Sequence, residues 1–193
     1  MASIPELCKL LHNPLRLRML VSIYSSADGG ANVGVLVDEL SHAGLNQSGV
    51  SQYLKQLKQI GVIRRERAGR YVNYCVDRVS CGADVAEVVQ QIVGRIKENG
   101  DMDFIRFFGV LMNPFRAAVI ADLAAGSSGV PDEICARFKH IKKYLRRDLQ
   151  IALDEGLLTV DDSSESFGVY SYVKPADPIV ARLVELSSFD HIL

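Results

Sequence analysis

Residues 47–59, QSGVSQYLKQLKQ, set out side chains suited to reading a polar surface. Ser48, Ser51, Gln52 and Lys55 recur at the i, i+3, i+4, i+7 spacing that gathers them on one side of a helix. Hydroxyls and an amide both donate and accept hydrogen bonds, which suits base-pair edges, and a lysine neutralises a phosphate. A solvated helix face ordinarily mixes acids with bases, yet no Asp or Glu occurs from Gln47 to Ile63. The opposite side carries Val50, Tyr53, Leu54, Leu57 and Ile60, an apolar stripe for a core. Gly61 is placed to stop the helix. Val62-Ile63 begins a strand, and Arg64, Arg65, Arg67 and Arg70 surround a turn at Ala68-Gly69. Tyr71 to Val76 returns with strand-like alternation. Glu66 and Asp77 cannot neutralise all four arginines, so the hairpin keeps a positive charge. The chemistry expected is contact with double-stranded DNA. A recognition helix over 47–59 would enter the major groove, with Gln47, Ser48, Ser51 and Gln52 at base edges. Lys55 and the basic wing 63–72 (Arg64, Arg65, Arg67, Arg70) would hold phosphates.

The elements that must position this stretch are helical. Ser3 to His12 reads as a short amphipathic helix with Leu7, Leu10 and Leu11 inward. Asn13-Pro14 then starts a second helix running to about Tyr24, Asn13 as its cap and Pro14 in its first turn. Residues 25–30, SSADGG, read as a loop. Asn32 caps a third helix from Val33 to about His42, and Gly44-Leu45-Asn46 makes the tight turn before Gln47. After the hairpin, Ala83 to Glu98 carries a broad aliphatic stripe (Val85, Val88, Val89, Ile92, Val93, Ile96), wide enough to suit burial at an interface.

Beyond a linker at Asn99-Gly100-Asp101 the pattern starts again. Residues 10–16, LLHNPLR, are echoed by residues 110–116, VLMNPFR, and Gly61-Val62-Ile63 by Gly156-Leu157-Leu158. The two offsets, 100 and 95, differ by a shortening between about Gly126 and Phe138. Carried across, Val50, Leu54 and Leu57 become Leu145, Leu149 and Ala152, so the buried face survives. Ser48, Ser51, Gln52 and Lys55 become Lys143, Arg146, Arg147 and Gln150. This second face is basic, and Lys143, Arg146 and Arg147 are candidates for auxiliary DNA contact. The second hairpin tip, residues 161–166 (DDSSES), is acidic and would repel a phosphate backbone. The expected fold is mainly α with small β-hairpins (α+β), as two tandem winged helix-turn-helix domains spanning 1–98 and 99–193.

The run QSGVSQYLKQLKQIGVIRRERAGRYVNYCV resembles the recognition helix and wing of ArsR/SmtB-type winged-helix repressors, and LLHNPLRLRMLVSIYS resembles their preceding segment with its Pro-x-Arg element. The resemblance covers roughly residues 5–98; residues 102–190 resemble the family only as a degenerate second copy. It implies a bacterial transcriptional repressor, with family members usually forming homodimers through their first and last helices. It does not bring the metal sensor. Asn32 and Gly34 stand where arsenic-type members place paired thiolates, and residues 84–97 contain no histidine for a zinc-type site. A histidine common in the family's recognition helix is Tyr53 here.

Bulk properties narrow the classes. The 193 residues suffice for two small domains, and 48% hydrophobic with 23% charged content is ordinary for a globular chain. No apolar run is long enough for a membrane span, and the N-terminus lacks a signal-peptide layout, so a cytoplasmic location is expected. The net charge of −1 hides an asymmetry: residues 1–97 hold 12 Lys+Arg against 8 Asp+Glu, whereas residues 98–193 hold 10 against 15. A basic half attracts phosphate locally even when the whole chain is neutral. Cys8, Cys75, Cys81 and Cys135 are widely spaced and read as free thiols, and no nucleophile–base pairing or phosphate-binding glycine loop is present. Neither a cofactor, a metal nor enzymatic activity is expected. The sequence leaves two assemblies open, a homodimer and an internal pseudo-dimer, and the acidic second wing leans toward the former. It also leaves a rival class, a tandem winged-helix protein–protein adaptor.

Overall fold

The computed structural model describes residues 3–26, 30–100, 102–139, 142–161 and 168–187, the side chains of Ala68, Lys142 and Lys143 excepted. The described residues are mostly helical with two small antiparallel sheets, an α+β class. The chain divides into two compact units, one of residues Leu10–Asp103 and one of Phe104–Leu193 joined by Ser3–Lys9. The sequence pattern breaks at 98/99; the units part five residues later, and the first segment goes with the second unit. That segment belongs to helix α1 (Ile4–Leu11), which Ser3 and Glu6 cap reciprocally. Its apolar face of Ile4, Leu7 and Cys8 is buried, so an amphipathic helix at the chain start takes the core that covers it.

The first unit continues with α2 (Pro14–Ser25), β1 (Gly30–Asn32), α3 (Val33–Leu40), a short 3₁₀ turn (Ser41–Ala43), α4 (Gln47–Gln59), β2 (Ile63–Ala68), β3 (Tyr71–Val76) and α5 (Ala83–Asn99). Asparagine opens three of these helices. Asn13 Oδ1 accepts from the N–H groups of Leu15 and Arg16, Asn32 from Val35, and Asn46 from Gly49. Leu17, Leu20 and Ile23 of α2, Leu36 of α3, and Val50, Leu54 and Leu57 of α4 are fully buried together with Ile63. Each of these packed helices therefore presents an outer face. At Gly61 the backbone takes φ 77°, and Gly156 repeats it at φ 71° in the second unit, each glycine ending a helix and turning the chain into a strand.

The sheet of the first unit has the order β1-β3-β2. Strand β2 pairs with β3 from Ile63↔Val76 to Ala68↔Tyr71, leaving Gly69-Arg70 as a two-residue tip. The strand β1 is not foreshadowed in the sequence, where residues 25–30 read as a loop. It is three residues long, too short for alternation to show, and it exists by pairing with β3 from Gly30↔Cys75 to Asn32↔Asn73. The α5 stripe Val85, Val88, Val89, Ile92 and Val93 is buried within the single chain, with Ala86 beside it.

The second unit runs α6 (Ile105–Leu111), α7 (Pro114–Ala124), α8 (Pro131–Phe138), α9 (Lys142–Asp154), β4 (Leu158–Asp161), β5 (Val169–Tyr172) and α10 (Pro178–Leu186). Among the described residues its element order follows that of the first unit, without a counterpart of β1 or of the 3₁₀ turn. A single bond from the Tyr170 N–H to the Gly129 carbonyl (3.0 Å) stands in that strand's place. Helix α7 is nearly all buried, as the apolar centre of this unit. Of the second hairpin tip, Asp161 is exposed, and Asp162 to Ser166 lie outside the described residues. Among the described residues no single helix is long and apolar enough to cross a membrane.

Candidate nucleic-acid interface

Helix α4 turns its two sides in opposite directions. Val50, Leu54 and Leu57 are fully buried, whereas Gln47, Ser48, Ser51, Gln52 and Lys55 are all exposed. Asn46, Gln47, Ser48 and Ser51 line a shallow open depression at the helix start. The Asn46 cap fixes where α4 begins, so the first hydroxyl and amide groups stand at the positive end of the helix dipole. No acid lies in the first turn, and Lys58 adds a cation in the last. Ser48, Ser51, Gln52 and Lys55, grouped by spacing, and Gln47 before them are thus all open to solvent. Tyr53 and Ile60, placed on the inward stripe by spacing, are only half-buried at its flanks.

The hairpin after α4 exposes Arg65, Arg67 and Arg70. Among the described residues none of the three is held by an ion pair or a side-chain hydrogen bond. Arg64 differs. Its Nε lies 2.7 Å from Glu66 Oε1, and its Nη1 donates to the Val76 carbonyl at 2.7 Å. The sequence grouped all four arginines as phosphate contacts, whereas Arg64 is engaged within the hairpin. The hydrogen bond from Arg64 holds the Glu66 carboxyl below its usual range, helped by the Cys75 thiol, which donates to Glu66 Oε2 at 3.5 Å. The remaining acid of the hairpin, Asp77, is not paired with an arginine. Its Oδ1 accepts from the Val79 and Ser80 N–H groups and its Oδ2 from the Ser80 hydroxyl at 2.6 Å, which locks the turn into α5. These bonds, the Ser80 hydroxyl foremost, hold the Asp77 carboxyl below its ordinary value against the opposing effect of burial. The net charge left at the hairpin is positive.

The second unit presents a different surface on the same arrangement. Arg146 and Arg147 are exposed on α9, and the side chain of Lys143 lies outside the described residues. Arg147 lies over the Tyr144 ring at 5.2 Å, with Asp148 Oδ1 at 4.0 Å, and Gln150 donates to Asp154 at 2.8 Å. Arg137 bonds the Ser128 carbonyl at 2.6 Å and pairs with Asp122 at 2.9 Å. Several polar and charged groups of this unit are thus matched internally.

Two features were missed by sequence patterning, one of them with a signal that could have found it. The Arg16 guanidinium lies 5.0 Å from the centre of the Tyr53 ring, a contact across 37 positions of chain that no local spacing announces. The Asp77 turn had a signal, an Asp followed three residues later by Ser, typical of a side chain bonding the backbone ahead of it. Asn32 serves as the cap of α3, its side chain accepting from the Val35 N–H. Among the described residues Cys8, Cys75, Cys81 and Cys135 form no disulfide, and burial pushes the Cys8, Cys75 and Cys81 thiols up, away from the reactive thiolate form. Among the described residues no group of three or more His, Cys, Asp and Glu could hold a metal ion.

No protein-family model matches the chain, and no curated protein matches it.

Proposed function

We propose that the chain is a sequence-specific DNA-binding transcriptional regulator of the repressor type, made of two tandem winged helix-turn-helix domains, the first resembling ArsR-type repressors. In this reading α3 and α4 form the helix-turn-helix, α4 is the recognition helix, and β2–β3 is the wing. Gln52 and its neighbours Ser48 and Ser51 read base edges in the major groove. Lys55, Arg65, Arg67 and Arg70 hold phosphates and fix register.

One observation carries the reading. An Asn-capped helix exposes Gln47, Ser48, Ser51, Gln52 and Lys55 without an intervening acid, and the hairpin following it exposes Arg65, Arg67 and Arg70. Selection of bound sequences from a pool of random duplexes tests it. The expected outcome is a defined preferred sequence. With about four phosphate contacts, the slope of log affinity against log salt is about −3.6, at roughly −0.9 per contact. Retention of no duplex even at low salt would sink the proposal. The adaptor reading would then take its place, favoured by the internally matched charges of the second unit.

A further inference from the structure

Arg16 links three places in the first unit. Its backbone N–H donates to the Asn13 cap at 3.2 Å, which places it in the first turn of α2. Its Nη1 reaches the Leu10 carbonyl at the end of α1, at 3.4 Å. The face of its guanidinium meets the Tyr53 ring in the middle of α4. No carboxylate neutralises it among the described residues, and its Nε is buried without a partner. Tyr53 follows Gln52 directly and is half-buried at the flank of the apolar stripe.

The second unit repeats the arginine and changes its partner. Arg116, 100 positions on, donates through Nε to the Val110 carbonyl at 3.2 Å and through Nη2 to the Gly109 carbonyl at 3.1 Å, and its N–H donates to the Asn113 cap at 3.1 Å. The position 95 after Tyr53 is Asp148. Its carboxylate acts electrostatically on Arg116, opposing the burial that otherwise lowers the Arg116 pKa. The arginine and its asparagine cap are therefore repeated, with an aromatic face against the arginine in the unit whose outer helix surface is free of acids and a carboxylate acting on it electrostatically in the other. A carboxylate cancels the arginine's charge. A ring holds the arginine and leaves the charge in place.

We infer that the Arg16–Tyr53 contact is a positioning device that sets the rotation of α4 about its own axis, and so which of Ser48, Ser51 and Gln52 meets a base edge. The inference rests on the DNA-reading function proposed above. Arg16 and Tyr53 touch no base in this scheme; they act through the residues beside them. The loss on removal is therefore one of discrimination between sequences, not of attraction to phosphate.

The test compares two duplexes, the sequence the wild-type protein selects and the same sequence with one base pair changed inside it. Tyr53→Phe keeps the ring and is expected to keep the wild-type affinity ratio. Tyr53→Leu keeps apolar bulk and loses the ring, and is expected to lower that ratio about three- to fivefold, the scale of a partly exposed cation–π contact. Its affinity for an unrelated duplex should stay at the wild-type value. Arg16→Gln, which retains a donor toward Leu10 without the charge, approaches the contact from the other side and should lower the ratio equally. The inference is overturned if Tyr53→Leu and Arg16→Gln keep the wild-type ratio. It is overturned equally if Tyr53→Phe loses the ratio too, or if the unrelated duplex weakens in step. A wild-type protein that selects no sequence would overturn the DNA reading itself, before any variant is compared.

Discussion

Gln52 and Arg67 are both exposed and both offered to DNA in the proposed function, but they carry different information. An amide that both donates and accepts can engage adenine through two bonds, a match few other base edges provide. Gln52→Ala should cost about 1–3 kcal/mol on the preferred sequence and little on others, so the selected sequences become more varied. Arg67 can only neutralise. Arg67→Ala should weaken all duplexes alike and reduce the salt slope by about 1. Titrations of both variants against preferred and scrambled duplexes at two salt concentrations separate these outcomes. Arg64→Ala is a sharper case. Because Arg64 is engaged with Glu66 and the Val76 carbonyl, its removal should cost less affinity than removal of Arg67. Equal losses in parallel titrations would mean that Arg64 leaves its partners to reach DNA. Sequence alone grouped the four arginines because charge and proximity are all that it records. Which of them folds back depends on strand register, since Arg64 lies opposite Cys75 and reaches the neighbouring Val76 carbonyl.

At the level of elements, the helices of the first unit were legible almost to the residue. Caps and apolar periodicity are local, and Asn13, Asn32 and Asn46 each sit one residue before the helix they cap. The strand β1 was not legible, because three residues hold their extended form through β3 and not through their own sequence. Close approach of backbones explains a glycine at the corresponding place in each unit. A Cβ on Gly30 would lie 2.5 Å from Cys75 Sγ, and one on Gly129 would collide with the Tyr170 carbonyl. Gly129→Ala should therefore displace β5 and destabilise the second unit by about 1–3 kcal/mol, seen as a lowered midpoint in denaturant unfolding. An unchanged midpoint would show that the 128–130 segment can shift without loss. The turn into α5 adds a pH dependence. Asp77 is held below its ordinary pKa by the Ser80 hydroxyl and by two N–H groups, so its stabilisation is fully present above the unfolded value of about 3.9. It is lost as pH falls through the lower folded value. Asp77→Asn keeps an acceptor but cannot titrate. Its thermal midpoint should fall less steeply than the wild type's below about pH 4, where carboxylates of this kind gain protons. Equal acid slopes for the two proteins would remove Asp77 from the account.

For the whole molecule, the repeat was readable in the sequence but its use of the N-terminal segment was not. Residues 3–9 carry an amphipathic pattern that fits many apolar surfaces, and which one they cover is decided by long-range packing. The same limit applies to α5. Its wide aliphatic stripe suggested an interface with another chain, as the ArsR resemblance implies for a last helix. In the structure Val85, Val88, Val89, Ile92 and Val93 are 9% exposed or less within one chain. Ile96, the last residue of the stripe, is half-buried, so most but not all of this apolar surface is covered within the chain. Among the described residues the large exposed apolar side chains, Val35, Tyr71, Val79, Val130, Tyr144 and Ile151, come from five different elements or turns, Tyr144 and Ile151 sharing α9. A 21.2 kDa monomer in sedimentation at micromolar concentration is the expected state, despite the acidic second hairpin tip that leans the sequence toward a homodimer. A monomer that binds its selected duplex tightly would make the second unit the internal partner of the first, with Arg146 and Arg147 near enough to phosphate to flatten the salt slope when replaced by Ala. A stable dimer at the same concentration would instead assign the second unit to assembly, and would require a surface other than the α5 stripe to hold the two chains.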